Sequence, residues 1–216
     1  MHIFIAIPAM DRKVYCDTVR SLWLEQTVAG ELGIQMNVGF LPGSSLVTQA
    51  RNQLVKQFFD TGADKMVFVD ADVSWEPGAL IKVASHKVDF VGGAYRYKDL
   101  KEGYPVAWIE DRDELWADPK TGLLEVEMVP GGFMALTRNV FIELEKKFPE
   151  RKYDFHGHIF QSFFHCPPNG DGEDGAFCKD WRDIGGKVWL DPELSLTHHD
   201  GGMAYSGHIG KWLRNR

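Results

Sequence analysis

The stretch KMVFVDAD at residues 65–72 decides the fold class of this 216-residue chain. Residues 65–69 form a short apolar run, which is typical of a strand that is buried on both faces of a sheet. Asp70 and Asp72 follow at once, and residues i and i+2 of an extended chain point to the same side. Because open α/β sheets bind ligands at the carboxyl ends of their strands, the two aspartates predict a ligand site.

Strands and helices alternate around that run over the first 95 residues. Further strands are expected at residues 2–7, 34–40 and 88–91, and helices at residues 14–28, at residues 44–59 and from Glu76-Pro77 onward. Ser44 or Ser45 is expected to cap the second helix, and Gly62 to end it. The β-α-β-α-β-α-β order predicts an α/β fold with a mostly parallel, doubly wound central sheet flanked by helices.

The second half of the chain is less regular and rich in Gly and Trp. It predicts a strand pair near 104–109 and 123–129, a helix near 138–147, a loop at 153–168, a helix at 173–184 and a strand at 187–190. The simplest account is a single domain over residues 1–216. A nucleotide-type half would extend to about residue 100 and a variable half from about residue 101.

Composition excludes several classes of protein. Hydrophobic residues make up 44% and charged residues 25% of the chain, which excludes a disordered or fibrous chain. The formal net charge is −7, so we expect no nucleic-acid partner. Three cysteines cannot form a disulfide framework and suit a reducing compartment. No stretch approaches the roughly 18 apolar residues of a membrane span, and we expect a cytoplasmic protein.

The D-x-D sequence at residues 70–72 supplies the first candidate chemistry. Carboxylate oxygens placed together suit Mg²⁺ or Mn²⁺, and these ions bridge phosphates. The alternative is structural, with Asp72 capping the helix near residue 76 and Asp70 in a turn.

Gly172-Glu173-Asp174-Gly175 opens a predicted helix and is the second candidate. The helix dipole keeps carboxylates at this position ionised, and an ionised carboxylate in a pocket can accept a proton from a hydroxyl group. N-terminal capping without chemistry is the alternative.

Two further signals are weaker. His198 and His199 follow a predicted strand and precede two glycines, so either could offer a neutral imidazole to a metal, or both could lie in a solvated loop. Arg51, within Gln49-Ala50-Arg51-Asn52, could reach a phosphate or a nucleobase, or could be an ordinary surface arginine.

Taken together, these features resemble the GT-A glycosyltransferases, especially the small family-2-like enzymes. The resemblance runs from about residue 2 to about residue 208. The matching segments, in chain order, are Ile7-Pro8-Ala9, Ala50-Arg51-Asn52, residues 67–72, Pro130-Gly131-Gly132-Phe133, Gly172-Glu173-Asp174, residues 185–192 and His199-Asp200-Gly201.

The resemblance implies a GT-A domain with glycosyltransferase activity. The donor would be a nucleoside-diphosphate sugar, most simply a UDP-sugar, bound by the first half of the chain. The acceptor would be a hydroxyl group of a glycan or another molecule, bound by the second half. The mechanism would be inverting, and the cofactor would be Mn²⁺ or Mg²⁺.

The resemblance also assigns roles to individual residues. Asp72 would bind the metal, Asp70 would contact the metal or the donor's ribose, and His199 or His198 would complete the metal site. Asp174 would be the general base, with Glu173 in support. The nucleotide pocket would involve Ile7, Pro8, Ala9, Arg51, Asp70 and Ala71.

Two other classes of function compete with this interpretation. A metal-dependent nucleotidyltransferase also uses paired aspartates, but it usually has a Gly-rich phosphate loop after the first strand, and residues 9–13 contain no glycine. A non-catalytic nucleotide- or metal-binding module would use the histidines and cysteines, which lack the spacing of a common structural zinc site.

Overall fold

The computed structural model describes residues 1–109, 115–168 and 170–216. In chain order its strands are β1 (His2–Ala9), β2 (Gln35–Pro42), β3 (Lys65–Val69), β4 (Val73–Trp75), β5 (Phe90–Gly92), β6 (Leu124–Val126), β7 (Phe133–Thr137), β8 (Lys152–Phe155), β9 (His158–Gln161), β10 (Val188–Leu190), β11 (Ser195–Asp200) and β12 (Met203–His208). Its helices are α1 (Cys16–Glu31), α2 (Val47–Thr61), α3 (Ala79–Ser85), α4 (Arg138–Lys147), α5 (Glu173–Asp183) and α6 (Ile209–Arg214).

A seven-stranded sheet with the order β2-β1-β3-β7-β5-β10-β6 forms the centre of the molecule. Five of these strands run in one direction, and β7 and β6 run in the other. The predicted mostly parallel α/β sheet is therefore confirmed. Strand β7 comes from the second half of the chain and pairs with β3 on one side and β5 on the other, so both halves contribute to one sheet.

Strand β3 lies at the middle of the sheet and is covered on both faces. Met66 and Phe68 pack into the hydrophobic core on the side of α2, α4 and α5, while Val67 and Val69 pack into the core on the side of α1 and α3. All four side chains are fully buried. This two-sided burial explains why the strand has no polar alternation and why its predicted bounds are confirmed.

Two details of the first half differ from expectation. Residues 73–75 form β4, which pairs with β11 in a separate three-stranded sheet, so α3 begins at Ala79 and not at Glu76-Pro77. Helix α2 begins after Leu46, and neither Ser44 nor Ser45 caps it, because its N-cap residue is Leu46 and makes no side-chain cap bond.

The second half is more ordered than its sequence suggests. The helices expected near 138–147 and 173–184 are confirmed as α4 and α5. Residues 152–161 form the β8–β9 hairpin within the stretch expected to be a loop. The expected pair of strands at 104–109 and 123–129 reduces to one bridge between Ala107 and Met128, because β6 pairs with β10 instead.

None of the helices in the described part of the chain has the length and apolar character needed to cross a membrane.

Candidate active site

A cavity of about 740 Å³ opens at the carboxyl ends of β1 and β3, the edge of the sheet at which a ligand site is expected. Its walls come from the turn after β1, the start of α1, the first turns of α2, the end of β3 and the start of α5. Both aspartates of the D-x-D sequence line it, together with Glu173 and Asp174. The fold thus brings two distant acidic signals of the sequence into one cavity.

The predicted nucleotide-pocket residues divide between the cavity wall and the core. Pro8, Arg51, Asp70 and Ala71 line the cavity, whereas Ile7 and Ala9 are buried in the sheet. Pro8 lies within β1 between Ile7 and Ala9, so its side chain points to the opposite face of the strand from theirs. Asp70 and Ala71 follow the end of β3. The turn after β1 also contributes wall residues that the sequence reasoning missed, and these are Met10, Asp11, Lys13, Val14, Tyr15 and Cys16.

Arg51 lies at the floor of the cavity and is 2% exposed. Its Nη2 is 3.1 Å from Asp70 Oδ1 and 3.8 Å from Asp174 Oδ1, and its Nε is 3.8 Å from Glu173 Oε1. Its Nη1 donates to the carbonyl of Gly131 at 3.0 Å. Burial opposes the charge of Arg51, but the three carboxylates raise its pKa above the usual value, so the guanidinium stays charged.

Asp174 is held by the backbone of Gly131, the residue whose carbonyl binds Arg51. Its Oδ2 accepts a hydrogen bond of 2.8 Å from the N–H of Gly131. Burial raises the pKa of Asp174 to about 6, against the attraction of Arg51 and together with repulsion from Glu173 and Asp70. The N-terminus of α5 therefore does not keep the pKa of Asp174 low, as the sequence predicted. A pKa of about 6 nevertheless leaves the group mostly ionised at neutral pH.

Two consecutive glycines, Gly131 and Gly132, lie directly against the carboxylates of Asp174 and Asp70. A Cβ built on Gly131 would collide with Asp174 Oδ1 and would lie 2.8 Å from Nη2 of Arg51. A Cβ built on Gly132 would collide with Asp70 Oδ2 and would lie 2.6 Å from the hydroxyl of Tyr95. The backbone approaches both aspartates so closely that no side chain fits. This explains why residues 131 and 132 are both glycine.

Asp70 is bound on both oxygens by the protein. In addition to the Arg51 contact on Oδ1, its Oδ2 accepts a hydrogen bond of 3.1 Å from Tyr95. Burial and the nearby carboxylates raise the pKa of Tyr95 well above its usual value, so the phenol remains a donor. Asp70 thus faces the cavity as a carboxylate with a fixed orientation.

Asp72 has different partners. Its Oδ2 lies 2.7 Å from Nζ of Lys98 and 3.5 Å from Nε2 of His198. Burial acts to raise the pKa of Asp72, but these two partners outweigh it, so the pKa lies below its usual value. Lys98 follows β5 in a stretch without a recognisable motif, and sequence reasoning missed it.

His198 and His199 point to opposite faces of β11, as adjacent residues in a strand do. The Nδ1 of His198 lies 2.9 Å from the carbonyl oxygen of Arg96, which can only accept a hydrogen bond, so Nδ1 carries a proton and Nε2 is the ring nitrogen that faces Asp72. The His199 ring instead contacts Ser74 at 2.8 Å and stacks on Tyr15. The structure brings His198 to Asp72 and turns the His199 ring towards α1.

A divalent cation fits part of this arrangement. Among residues 1–109, 115–168 and 170–216, no group of three or more His, Cys, Asp or Glu side chains is placed to hold a metal ion. Asp72 and His198 nevertheless pair a carboxylate oxygen with an imidazole nitrogen, a donor set suited to Mn²⁺ or Mg²⁺ when phosphate oxygens supply further ligands. Asp70 is committed to Arg51 and Tyr95.

No family model and no curated protein matches the sequence. Among solved structures, the chain is similar to A197 from STIV, with a TM-score of 0.60 and 19% identity over 93% of this chain and 87% of that one. It is also similar to the catalytic domain of Drosophila β1,4-galactosyltransferase 7 in complex with xylobiose, with a TM-score of 0.52 and 14% identity over 100% of this chain and 74% of that one.

A third similar structure is GalNAc-T7 with UDP, GalNAc and Mn²⁺, with a TM-score of 0.51 and 12% identity over 92% of this chain and 44% of that one. The chain has the GT-A fold. In this GT-A domain the cavity lies at the edge of the sheet where the D-x-D sequence follows β3.

Proposed function

We propose that this GT-A domain is a metal-dependent glycosyltransferase. It would move a sugar from a nucleoside-diphosphate donor, most simply a UDP-sugar, to a hydroxyl group of a glycan or another acceptor. The observation that carries the proposal is the shared cavity, in which the D-x-D aspartates and Asp174 face one space. The neighbour structures with UDP, GalNAc and Mn²⁺ and with xylobiose support this choice of substrates.

The donor would lie against the first half of the chain, up to about residue 100. Pro8 and the turn that follows it would enclose the base, and Ala71 would flank the nucleoside. Asp70 would accept hydrogen bonds from the ribose, because Arg51 and Tyr95 already fix its orientation towards the cavity. Arg51 itself lies below this wall and presents almost no surface to the donor.

Asp72 and His198 would hold the cation, either Mn²⁺ or Mg²⁺. When bound, the ion would stabilise the negative charge that develops on the diphosphate leaving group. The chain prepares this site in two ways. The carbonyl of Arg96 sets the His198 tautomer, and Lys98 balances the Asp72 charge while no cation is present.

Asp174 would be the general base of an inverting reaction. The acceptor oxygen would form a bond to the anomeric carbon as the bond from that carbon to the diphosphate breaks, and the hydroxyl proton would pass to Asp174. A pKa of about 6 suits this task, since the group is ionised at neutral pH yet more basic than an exposed aspartate. Glu173 would support it by sharing the charge of Arg51. The acceptor would lie against the second half, from about residue 101.

Calorimetric titration of UDP, GDP, TDP and CMP, each with Mn²⁺ and with EDTA, tests the proposal. We expect one nucleoside diphosphate to bind only with Mn²⁺, and Asp72→Asn to weaken that binding by about 100-fold. Asp17→Asn is the matched control, because Asp17 faces His199 on the other side of β11. If none of the nucleotides binds under either condition, the transferase proposal is wrong.

A further inference from the structure

We propose that Arg51 is a positioning residue for the transfer reaction, which fixes Asp70 and Asp174 relative to each other and does not contact the donor. This inference rests on the proposed function for its catalytic meaning. The contacts behind it, however, are seen in the structure whatever the function of the protein. One buried cation contacts a carboxylate of the D-x-D sequence and the carboxylate proposed as the base.

Burial separates Arg51 from any ligand. Although Arg51 borders the floor of the cavity, its side chain is 2% exposed and offers almost no surface to a phosphate or a base. The group lies over the rings of Phe68 and Phe164, with its central carbon 5.2 Å and 5.7 Å from their centroids. Its remaining directions point at Asp70, Glu173, Asp174 and the carbonyl of Gly131. The expectation that Arg51 contacts a phosphate or base is therefore replaced by a role beneath the site.

Backbone hydrogen bonds make these groups one frame. Arg51 binds the carbonyl of Gly131, while the N–H of Gly131 binds Asp174. The carbonyl of Gly132 accepts a hydrogen bond of 3.1 Å from the N–H of Asp70. Displacing Arg51 would therefore release the glycine turn and both carboxylates together.

The negative charges of the surrounding carboxylates also require a cation at the position of Arg51. Asp70, Glu173 and Asp174 place three negative charges around one positive charge. The groups that face Asp174 are Arg51 from α2, Asp70 from the end of β3, Tyr95 after β5, and Glu173 and Cys178 on α5. Arg51 is the cation in this set, so its loss would leave like charges close together, and Asp174 would take up a proton more readily.

A lysine could not replace Arg51. The guanidinium donates hydrogen bonds to Gly131 and Asp70 from two different nitrogens, and its Nε lies 3.8 Å from Glu173 without a hydrogen bond. An ammonium group is a single point charge on a flexible stem and cannot hold this fork. Arg51→Lys would therefore keep the charge but lose the geometry, which separates positioning from simple charge balance.

Arg138 provides a matched control. Its guanidinium also lies over two aromatic rings, those of Phe58 and Phe59, at 4.7 Å and 5.0 Å. It donates to the backbone carbonyls of Ala63 and Phe58 at 2.7 Å and 3.1 Å. Substitution of Arg138 removes the same kind of packing at the far end of α2, so it should lower stability without affecting Asp174.

The test compares Arg51→Lys and Arg51→Met with Arg138→Lys and Arg138→Met. The main readout is the titration of the Asp174 carboxyl carbon by NMR, assigned with Asp174→Asn, because it requires neither donor nor acceptor. In Arg51→Met, which removes the charge, we expect the midpoint to rise by about one pH unit or more, and we expect no shift in the Arg138 variants. In Arg51→Lys, which keeps the charge, we expect a smaller rise. If Arg51→Met fails to fold, the kinetics of Arg51→Lys still test the proposal.

Kinetics and binding supply the second readout. In Arg51→Lys, kcat should fall by about 100-fold or more, with a smaller change in UDP affinity in the presence of Mn²⁺. In Arg51→Met, the pH profile should also be displaced to higher pH. An unchanged Asp174 midpoint in Arg51→Met overturns the proposal, and so does an unchanged kcat in Arg51→Lys. A loss confined to UDP affinity also overturns it, because it would make Arg51 a donor contact. The transferase proposal fails separately, if wild-type protein binds no nucleotide.

Discussion

Asp70 and Asp72 stand two residues apart, yet each faces a different kind of cation. Asp70 faces the guanidinium of Arg51, which is 2% exposed and held by stacking and by a backbone carbonyl. Asp72 faces the ammonium of Lys98, whose side chain is 32% exposed. We call the first group, Arg51 with Asp70, Glu173 and Asp174, the arginine cluster, and the second, Asp72 with Lys98 and His198, the lysine cluster.

The two clusters differ in how easily their cation can leave. Removing Arg51 would leave three partly buried carboxylates close together without their buried cation, and their mutual repulsion would then be costly. Removing Lys98 breaks one partly exposed ion pair, which is worth about 1 kcal/mol or less. The arginine cluster therefore holds its cation more firmly than the lysine cluster does. Under the proposed function, the lysine cluster would exchange Lys98 for a divalent cation.

Substituting Asp174, the proposed general base in the arginine cluster, should have the largest effect on activity. Asp174→Asn keeps an acceptor for the Gly131 N–H but removes the carboxylate that we propose as the general base. We expect sugar transfer to fall by about 1,000-fold, with UDP affinity in Mn²⁺ unchanged. Steady-state transfer and calorimetry measure the two quantities. Normal transfer by this variant would remove Asp174 from the base role.

The same substitution, which should lower activity, should raise the stability of the folded protein at neutral pH. The pKa of Asp174 is about 6 in the fold, against an ordinary value of 3.8, so the folded chain binds this proton more tightly than the unfolded chain. Its ionisation therefore costs stability as the pH rises from about 4 to about 6, and the cost persists above pH 6. Asp174→Asn should be more stable than wild type by about 3 kcal/mol at pH 7.5, with little difference near pH 4.

Urea unfolding at several pH values measures this difference. Asp60→Asn, at an exposed aspartate on α2, is the control and should change stability by less than about 0.5 kcal/mol at every pH. A less stable Asp174→Asn protein at pH 7.5 would show that the attraction of Arg51 outweighs the cost of burial.

His198 of the lysine cluster and its neighbour His199, which lies outside the cluster, give a sharper comparison. His198→Ala removes the imidazole beside Asp72, and we expect Mn²⁺-dependent UDP affinity to fall by about 10-fold. His199→Ala removes the ring that contacts Ser74 and Tyr15, and metal affinity should change by less than about 2-fold. Equal losses in the two variants would contradict the assignment to His198. Mn²⁺ titration in the presence of UDP provides the measurement.

Substituting Lys98 should have the smallest effect. Lys98→Met removes the competing cation from Asp72, so Mn²⁺ should bind the nucleotide-free protein about 3-fold more tightly. Lys101→Met, a few residues further along the same stretch, is the control. Weaker Mn²⁺ binding by Lys98→Met would mean that Lys98 supports the cation site instead of competing for it.

The sequence predicts those parts of the fold that local pattern determines. Strand β3 is a continuous apolar run closed by Asp70, so its position could be read directly. Strand β4 has only three residues, and its partner β11 lies more than 100 residues away, so no local signal marks it. The β8–β9 hairpin turns at His156-Gly157, both with positive φ, and His is not among the residues that usually announce such a turn.

The candidate site shows the same division. Asp72 and Asp174 could be found because each follows a strand or opens a helix, and such positions are local. Arg51 could not be assigned its place, because a charged residue on an amphipathic helix normally faces solvent and its partners meet only in the folded chain. The choice between His198 and His199 depends on which face of β11 turns towards Asp72, and pairing with β4 decides that.

The insertion of β7 between β3 and β5 has a consequence for how the chain acquires its shape. Within the central sheet, β5 has β7 and β10 as its neighbours, and both come from the second half. A nascent chain that has emerged only to residue 100 would hold β5 without either partner and β3 with one open edge. Completion of the sheet in the first half of the chain therefore requires residues 133–137, and because this pairing closes a long stretch of chain, slow folding is expected.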